Sequence, residues 1–393
     1  MHRRDLLRSL GIAAIARSAP AAESEKSLIL LTAKEAESLR AHLGKSEHVR
    51  ALADAAAKRG PWSVTEHRPE GMSIAPNDYY SEGPYWWPDP KNPGGPYVRR
   101  DGERNPGRFV HNHDDLGAMG TTLLALGMGA YFLREKRYAE HAGQILSTWF
   151  LDAKTRMNPN LEYGQAVRGH NTGRGTGIID TVSLIYAVQG IALVEAVESL
   201  DRDVGAGLRR WFGDYLNWMR TSEKGRDEEK SGNNHATWWA AQAAAHALFT
   251  GDAVAQKAVW DLYRSYLVPH EIQKDGSCPR EEARTQSLSY STFNLDAFAV
   301  LCRQAQCAGV DLWHFRTAEG VGVQTAIDYL MPYVLEPAKW KKQQITAFAP
   351  DRIVFPGLAA VGLSSDSLLK THKGLPRAAN SPWVAFVDLI VRG

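Results

Sequence analysis

The chain has 393 residues, a formal net charge of +2 and 44% hydrophobic residues, enough apolar material for a sizeable core in one large domain or two to three average ones. The near-neutral balance excludes the global basic field with which nucleic-acid binders collect phosphates, so an anionic partner has to meet local basic groups. Three cysteines, Cys278, Cys302 and Cys307, make neither a disulfide framework nor a zinc pattern.

In chain order, the amino terminus reads Met1-His2-Arg3-Arg4-Asp5-Leu6-Leu7-Arg8, then a short apolar run to Ala16, then Ala19-Pro20-Ala21-Ala22. Paired arginines, an apolar stretch and a small-residue cleavage site resemble a twin-arginine export signal over residues 1–22, which implies a periplasmic address. No other stretch reads as long and apolar enough to span a bilayer, so no membrane partner is expected. Residues 23–393 read as a single domain, of unknown oligomeric state.

Alanine, leucine and aromatic residues recur at helical spacing over 32–58, 114–134, 136–150, 178–199, 204–221, 234–250, 253–268 and 289–309. Strand signals are sparse. Many helices joined by short polar turns predict an all-α fold, an incomplete (α/α) toroid of antiparallel helical hairpins with loops forming a cleft at one end. Residues 61–112 interrupt this pattern and hold nine of the nineteen prolines, with Tyr79, Tyr80, Tyr85, Trp86, Trp87 and Tyr97. So long an irregular segment reads as a stiff lid, and Tyr85, Trp86 and Trp87 offer flat faces on which sugar rings can stack. Beyond 335, residues 345–361 and 383–391 fit either a final helix or short strands.

Chemistry concentrates in two segments. Ser231-Gly232-Asn233 reads as a helix start, followed by Asn234 and His235 and then by Trp238 and Trp239. His235, Trp239, Gln242 and His246 fall on one helix face. About fifty residues on come Arg284 and Tyr290. An amide, an imidazole, a guanidinium and a phenol are the groups that a β-elimination on a uronic acid requires. Arg168, His170 and Arg174, in a glycine-rich loop, read as a clamp for neighbouring uronate carboxylates. His111, His113, Asp114 and Asp115 carry ligand-type atoms, but their spacing matches no metal signature, and no metal is expected.

Asn234-His235 with the downstream Arg284 and Tyr290 resembles the alginate lyase superfamily of helical-toroid polysaccharide lyases. Further blocks carry the same resemblance: Tyr85-Trp86-Trp87-Pro88-Asp89-Pro90, Arg100-Asp101-Gly102-Glu103-Arg104-Asn105-Pro106, Met157-Asn158-Pro159-Asn160-Leu161, Gly173-Arg174-Gly175-Thr176-Gly177-Ile178-Ile179-Asp180 and Tyr290-Ser291-Thr292-Phe293-Asn294-Leu295. They span roughly residues 60 to 335. Arg284 and Tyr290 are one residue closer together than in the best-known alginate lyase branch, and in this the chain resembles a sister branch of polyuronate lyases that includes glucuronan-cleaving enzymes.

The resemblance implies cleavage of a β-1,4-linked polyuronate, mannuronate-rich alginate or glucuronan, with an acidic polysaccharide as partner and no organic cofactor. Asn234, His235 and Arg284 would neutralise the carboxylate beside C5. Tyr290 would take the C5 proton and protonate the leaving O4, with Arg284 lowering its pKa; His235 is the other candidate base. Two rival readings are a glycoside hydrolase using Asp180 with Glu281 or Glu282, and a catalytically silent acidic-glycan-binding protein. Substrate-binding residues on this reading are Tyr85, Trp86, Trp87, Arg168, His170, Arg174, Trp238 and Trp239.

Overall fold

The structure, a computed structural model, describes residues 28–392; the expected export signal at 1–22 lies outside the described residues. Two helices, α1 (Ala33–Leu43) and α2 (Glu47–Ala56), stand where one was expected over 32–58. The chain turns at Gly44, and the Ser46 hydroxyl caps α2 by accepting from the Val49 N–H at 3.3 Å. The proline-rich segment that follows is irregular as expected, and holds three short strands, β1 (Tyr80–Glu82), β2 (Trp86–Trp87) and β3 (Val98–Arg99).

Next come α3 (His111–Phe132), α4 (Lys136–Leu146), β4 (Tyr163–Ala166), α5 (Ser183–Glu195), α6 (Arg202–Thr221), α7 (Glu223–Glu229), α8 (Asn234–Thr250), α9 (Ala253–Leu262), α10 (Val268–Glu271), α11 (Pro279–Glu282), α12 (Ser287–Cys307) and α13 (Val323–Leu335). The chain ends in α14 (Phe355–Gly362), α15 (Asp366–Gly374) and α16 (Pro382–Arg392), so the closing segments are helices and not strands. All helices expected between 114 and 309 are present. α4 and α9 end early because the backbone widens into π-helical turns at Ser147–Leu151 and Tyr263–Leu267.

Contacts run from α3 to α5, to α8, to α12, to α14, to α16 and back to α3. This ring is the inner wall of a helical toroid. α3, α5, α8 and α12 are buried over most of their circumference, whereas α4 and α6 bury one face and lie outside it. Gly175–Glu195 is long and apolar enough to resemble a membrane span, contrary to the sequence reading, but most of it is buried in the core. The seam between α16 and α3 is backed by Trp383 stacked on Tyr186 at 4.5 Å. Asp296 on α12 accepts from the Val354 and Phe355 N–H groups at 2.9 and 2.8 Å and thereby caps α14.

Two small sheets place the lid. β1 pairs in parallel with β4, with a register break between Tyr80 and Glu82, and β2 pairs antiparallel with β3, Trp86 opposite Arg99. The β1–β4 pair joins the lid to the strand that leads into the glycine-rich loop.

The α3–α5 contact depends on glycine. A Cβ on Gly127 would lie 2.5 Å from the Gly190 carbonyl oxygen, and one on Gly190 would lie 2.3 Å from that of Leu123. Backbone meets backbone here, and no flexible side chain can yield. Gly127→Ala is therefore expected to destabilise the protein by about 1–3 kcal/mol or more, read as a lower midpoint in thermal unfolding; an unchanged midpoint would show that the helices can part freely.

Candidate active site

A cleft of about 590 Å³ lies between the lid, the loop after β4 and the amino-terminal turns of α8 and α12. Asn234, His235, Arg284 and Tyr290 all line it, as do Tyr85, Trp86 and Arg174. The ring brings the starts of α8 and α12 to the same end, and the lid brings Tyr85 to Tyr290, 205 positions further along the chain.

Tyr290, in the first turn of α12, has its hydroxyl 2.6 Å from the Tyr85 hydroxyl and 2.8 Å from Arg284 Nη2. The Arg284 guanidinium carbon sits 3.8 Å from the centre of the Tyr290 ring. The lid residue Asp101 accepts from Arg284 Nε at 3.1 Å and Nη2 at 2.8 Å, and from the Thr285 backbone N–H at 3.2 Å. Arg284 lowers the Tyr290 pKa as expected, but the net shift is upward. Burial pushes the phenol above its ordinary value, the adjacent Tyr85 adds to the rise, and Arg284 opposes it without cancelling it.

At the start of α8 the Asn233 side chain accepts from the His235 N–H at 3.2 Å, the cap that the sequence predicts. Glu281 stands behind Asn234, accepting from its backbone N–H at 2.6 Å and from Nδ2 at 2.8 Å. This fixes the amide and satisfies the first N–H of the helix. His235 is held through Nδ1 by Glu228 at 2.6 Å, a buried carboxylate from α7. Burial alone would lower the imidazole pKa, but the Glu228 charge and hydrogen bond outweigh it, and the net shift is upward. A proton on Nδ1 leaves Nε2 as the outer nitrogen.

Sequence reading missed Glu228, because Asp227-Glu228-Glu229 looks like an ordinary charged run. It also missed the arginines that dominate the cleft wall, Arg99, Arg104 and Arg108, which join Arg174 and Arg284 there. Arg108 donates to the Asn105 carbonyl at 2.9 Å, and Arg174 is oriented by Gln165 through its backbone and side-chain oxygens at 3.0 and 2.8 Å. Gln165 itself adopts φ of 49°, a strained value that Asp180 helps hold by accepting from its Nε2 at 2.8 Å. Burial pulls both the Arg108 and the Arg174 pKa down, the mark of cations that would gain from an incoming carboxylate. The repeated arginines of the lid were the available signal.

Several expected binding residues lie elsewhere. Trp238 and Trp239 are each only 2% exposed and belong to the core, with Trp238 against Phe293 at 5.0 Å; their spacing reflects helix packing and not a sugar platform. Trp87 lies outside the cleft lining, under Arg100, with its indole N–H on the Glu103 carbonyl at 3.0 Å. Arg168 faces a smaller neighbouring recess, paired with Glu82 at 2.7 Å. His170 bonds the Tyr97 carbonyl at 2.8 Å and leans on Trp86 at 5.0 Å, so it buttresses the wall without forming it. Asp115 gathers with Glu66 and His67, their ligand-type atoms all within 4.8 Å of one another, whereas His113 pairs with Asp114 at 2.9 Å.

A sequence profile described as Alginate lyase matches residues 63–340. A comparison with curated proteins found no match. Among solved structures, the chain is similar to an alginate lyase from Bacteroides ovatus, at 31% identity with a TM-score of 0.84, covering 93% of this chain and 98% of that one. It is also similar to alginate lyase A1-III from Sphingomonas species A1, at 17% identity with a TM-score of 0.62, covering 94% of this chain and 99% of that one. A histidine-to-alanine variant of alginate lyase A1-III complexed with tetrasaccharide aligns at 17% identity with a TM-score of 0.61, covering 90% and 93%. At 17% identity these two speak for the fold alone. The profile match takes in the whole cleft, and the chain belongs to the alginate lyase family of polysaccharide lyases.

Proposed function

We propose that the cleft cleaves β-1,4-linked polyuronates by β-elimination, with mannuronate-rich alginate or glucuronan as substrate. One observation carries this reading. The Tyr290 oxygen lies within hydrogen-bond reach of both Arg284 Nη2 and the Tyr85 hydroxyl, in a cleft lined by five arginines. The 31% identity to an alginate lyase from Bacteroides ovatus agrees with it.

The C5 proton of a uronate becomes acidic when the adjacent carboxylate is neutralised. Asn234 Nδ2 and a protonated His235 supply that neutralisation, joined by the Nη1 end of Arg284, since its Nε and Nη2 are engaged by Asp101 and Tyr290. The Tyr290 phenolate takes H5, becoming a phenol, and returns that proton to O4 as the C4–O4 bond breaks and the C4–C5 double bond forms. Its raised pKa makes the phenolate scarce but strongly basic, and Arg284 is the cation that favours it. One group serves both steps only where H5 and O4 share a face of the sugar, as in β-mannuronate and β-glucuronate. The two differ at C2, away from the reacting bond. Guluronate would need a second base, and the Glu228-paired His235, held towards its charged form, suits carboxylate binding better than proton abstraction.

The hydrolase alternative needs two opposed carboxyl groups. Asp180 lines the cleft but accepts from Tyr79, Ser81 and Gln165, Glu281 stands behind Asn234, and Glu282 pairs with Lys342. We also read residues 23–393 as one domain, on the support of a core that continues from Leu28 to Ile390. A periplasmic location is proposed on the amino-terminal pattern alone.

Incubation of the purified protein with polymannuronate, polyguluronate, glucuronan and a neutral glucan should raise near-ultraviolet absorbance with polymannuronate or glucuronan, because elimination creates a conjugated double bond. A flat trace with all four would sink the lyase reading, and binding without product would point to a silent glycan binder. Tyr290→Phe should lower kcat by about 100- to 10,000-fold with little change in polyuronate affinity; near-normal turnover would remove Tyr290 from the mechanism. Because the folded His235 pKa is raised, its pairing with Glu228 stabilises the fold fully below the ordinary value of 6.5 and loses that effect as pH rises through the folded value. Denaturant titration of Glu228→Gln should therefore show a loss of about 1–3 kcal/mol at pH 6 that shrinks by pH 9, and a pH-independent loss would contradict the pairing.

A further inference from the structure

Asp101 takes no part in the elimination as drawn, yet it holds the group on which Tyr290 depends. Arg284 is a long side chain, and a guanidinium with one neutral partner can turn about several bonds at little cost. Here its Nε and Nη2 both donate to Asp101, at 3.1 and 2.8 Å, which fixes the plane of the fork. With that edge fixed, Nη2 also reaches the Tyr290 oxygen at 2.8 Å and the guanidinium lies against the Tyr290 ring.

Asp101 is itself anchored. Its carboxylate accepts from Arg99 Nη2 at 2.7 Å, from the Thr285 backbone N–H at 3.2 Å and from the Thr285 hydroxyl at 3.1 Å. Its carbonyl accepts from that hydroxyl at 2.9 Å, and the next carbonyl, Gly102, accepts from Gln286 Nε2 at 2.9 Å. The lid is therefore seated on the two residues that lead into α12, immediately before the turn that carries Tyr290. Burial alone would raise the Asp101 pKa, but hydrogen bonds from Arg284 and Thr285 outweigh it and hold the carboxyl well below the usual range, so the anchor stays charged wherever the protein is folded near neutrality.

We propose that Asp101 is a positioning residue for the elimination: from the lid it sets the Arg284 guanidinium so that Nη2 meets the Tyr290 oxygen, which makes seating of the lid and alignment of the acid/base group one event. This rests on Tyr290 as the proton-transfer residue. Arg284 without its anion would still bind a substrate carboxylate, but it would no longer be held at the phenol when the proton moves. The loss should therefore fall on kcat, not on KM.

The test is Asp101→Asn, which keeps the shape and removes the charge, assayed on whichever polyuronate the protein cleaves. We expect kcat to fall about 10- to 100-fold with KM within about threefold and a lowered thermal midpoint that still lies above the assay temperature. A second measurement is independent of turnover: adding Asp101→Asn to Tyr290→Phe should leave the affinity for a uronate tetrasaccharide unchanged. A kcat near the unsubstituted value, a rise in KM alone, a weakened tetrasaccharide affinity, or a fall in activity that tracks lost folded protein would each overturn the proposal. The two readings fail differently. An active Tyr290→Phe removes the elimination reading and Asp101's role with it, whereas an inactive Tyr290→Phe beside a fully active Asp101→Asn removes only the positioning role.

Discussion

A single guanidinium ties the working parts together. Arg284 has to answer a carboxylate from the lid and a phenol on α12 at once, and the first of these is met with the lid lying over the start of that helix. Several polar groups within the cleft have a counterpart of this kind: Glu228 behind His235, Glu281 behind Asn234, Gln165 behind Arg174. The groups that face the cleft are therefore oriented by partners further back, which makes the arrangement rigid before any ligand arrives.

The inner helices make this possible. α3 and α5 approach with backbone against backbone at Gly127 and Gly190, and α8 and α12 are buried nearly all round. Such helices have little freedom to slide, so the ends that reach the cleft stay in register. The outer helices keep polar faces and shield the ring from water.

Much of this was legible in the sequence. Helical periodicity located the inner helices because a long apolar stretch of alanine and leucine has few other structures open to it, and α8 runs over 234–250 as read. Asn233 as a cap and the four residues Asn234, His235, Arg284 and Tyr290 at one cleft also came through. What failed were inferences that depend on which way a side chain turns. Trp238 and Trp239 are indistinguishable by composition from a sugar platform, and only tertiary packing decides that they face inward. His246 lies on the His235 face of the same helix, yet it is buried without hydrogen-bond partners and its pKa is pushed down to about 3 by burial. Supporting acids such as Glu228 and Asp101 were invisible for a different reason, since their importance lies in contacts with residues far along the chain.

The cap that Asp296 places on α14 bears on where the protein can be shortened. The profile match ends at residue 340, although the similarity to the Bacteroides ovatus structure covers 93% of the chain, and a fragment cut at 340 would look complete by the profile alone. It would nevertheless leave Asp296, burial-raised in pKa to about 7 and satisfied by the backbone N–H groups of Val354 and Phe355, with no donors. It would also open the ring where α16 meets α3. α12 carries Tyr290 in its first turn and Asp296 in its third, so the terminal helices, which lie beyond the profile match, are the far support of the helix that bears the proposed acid/base group.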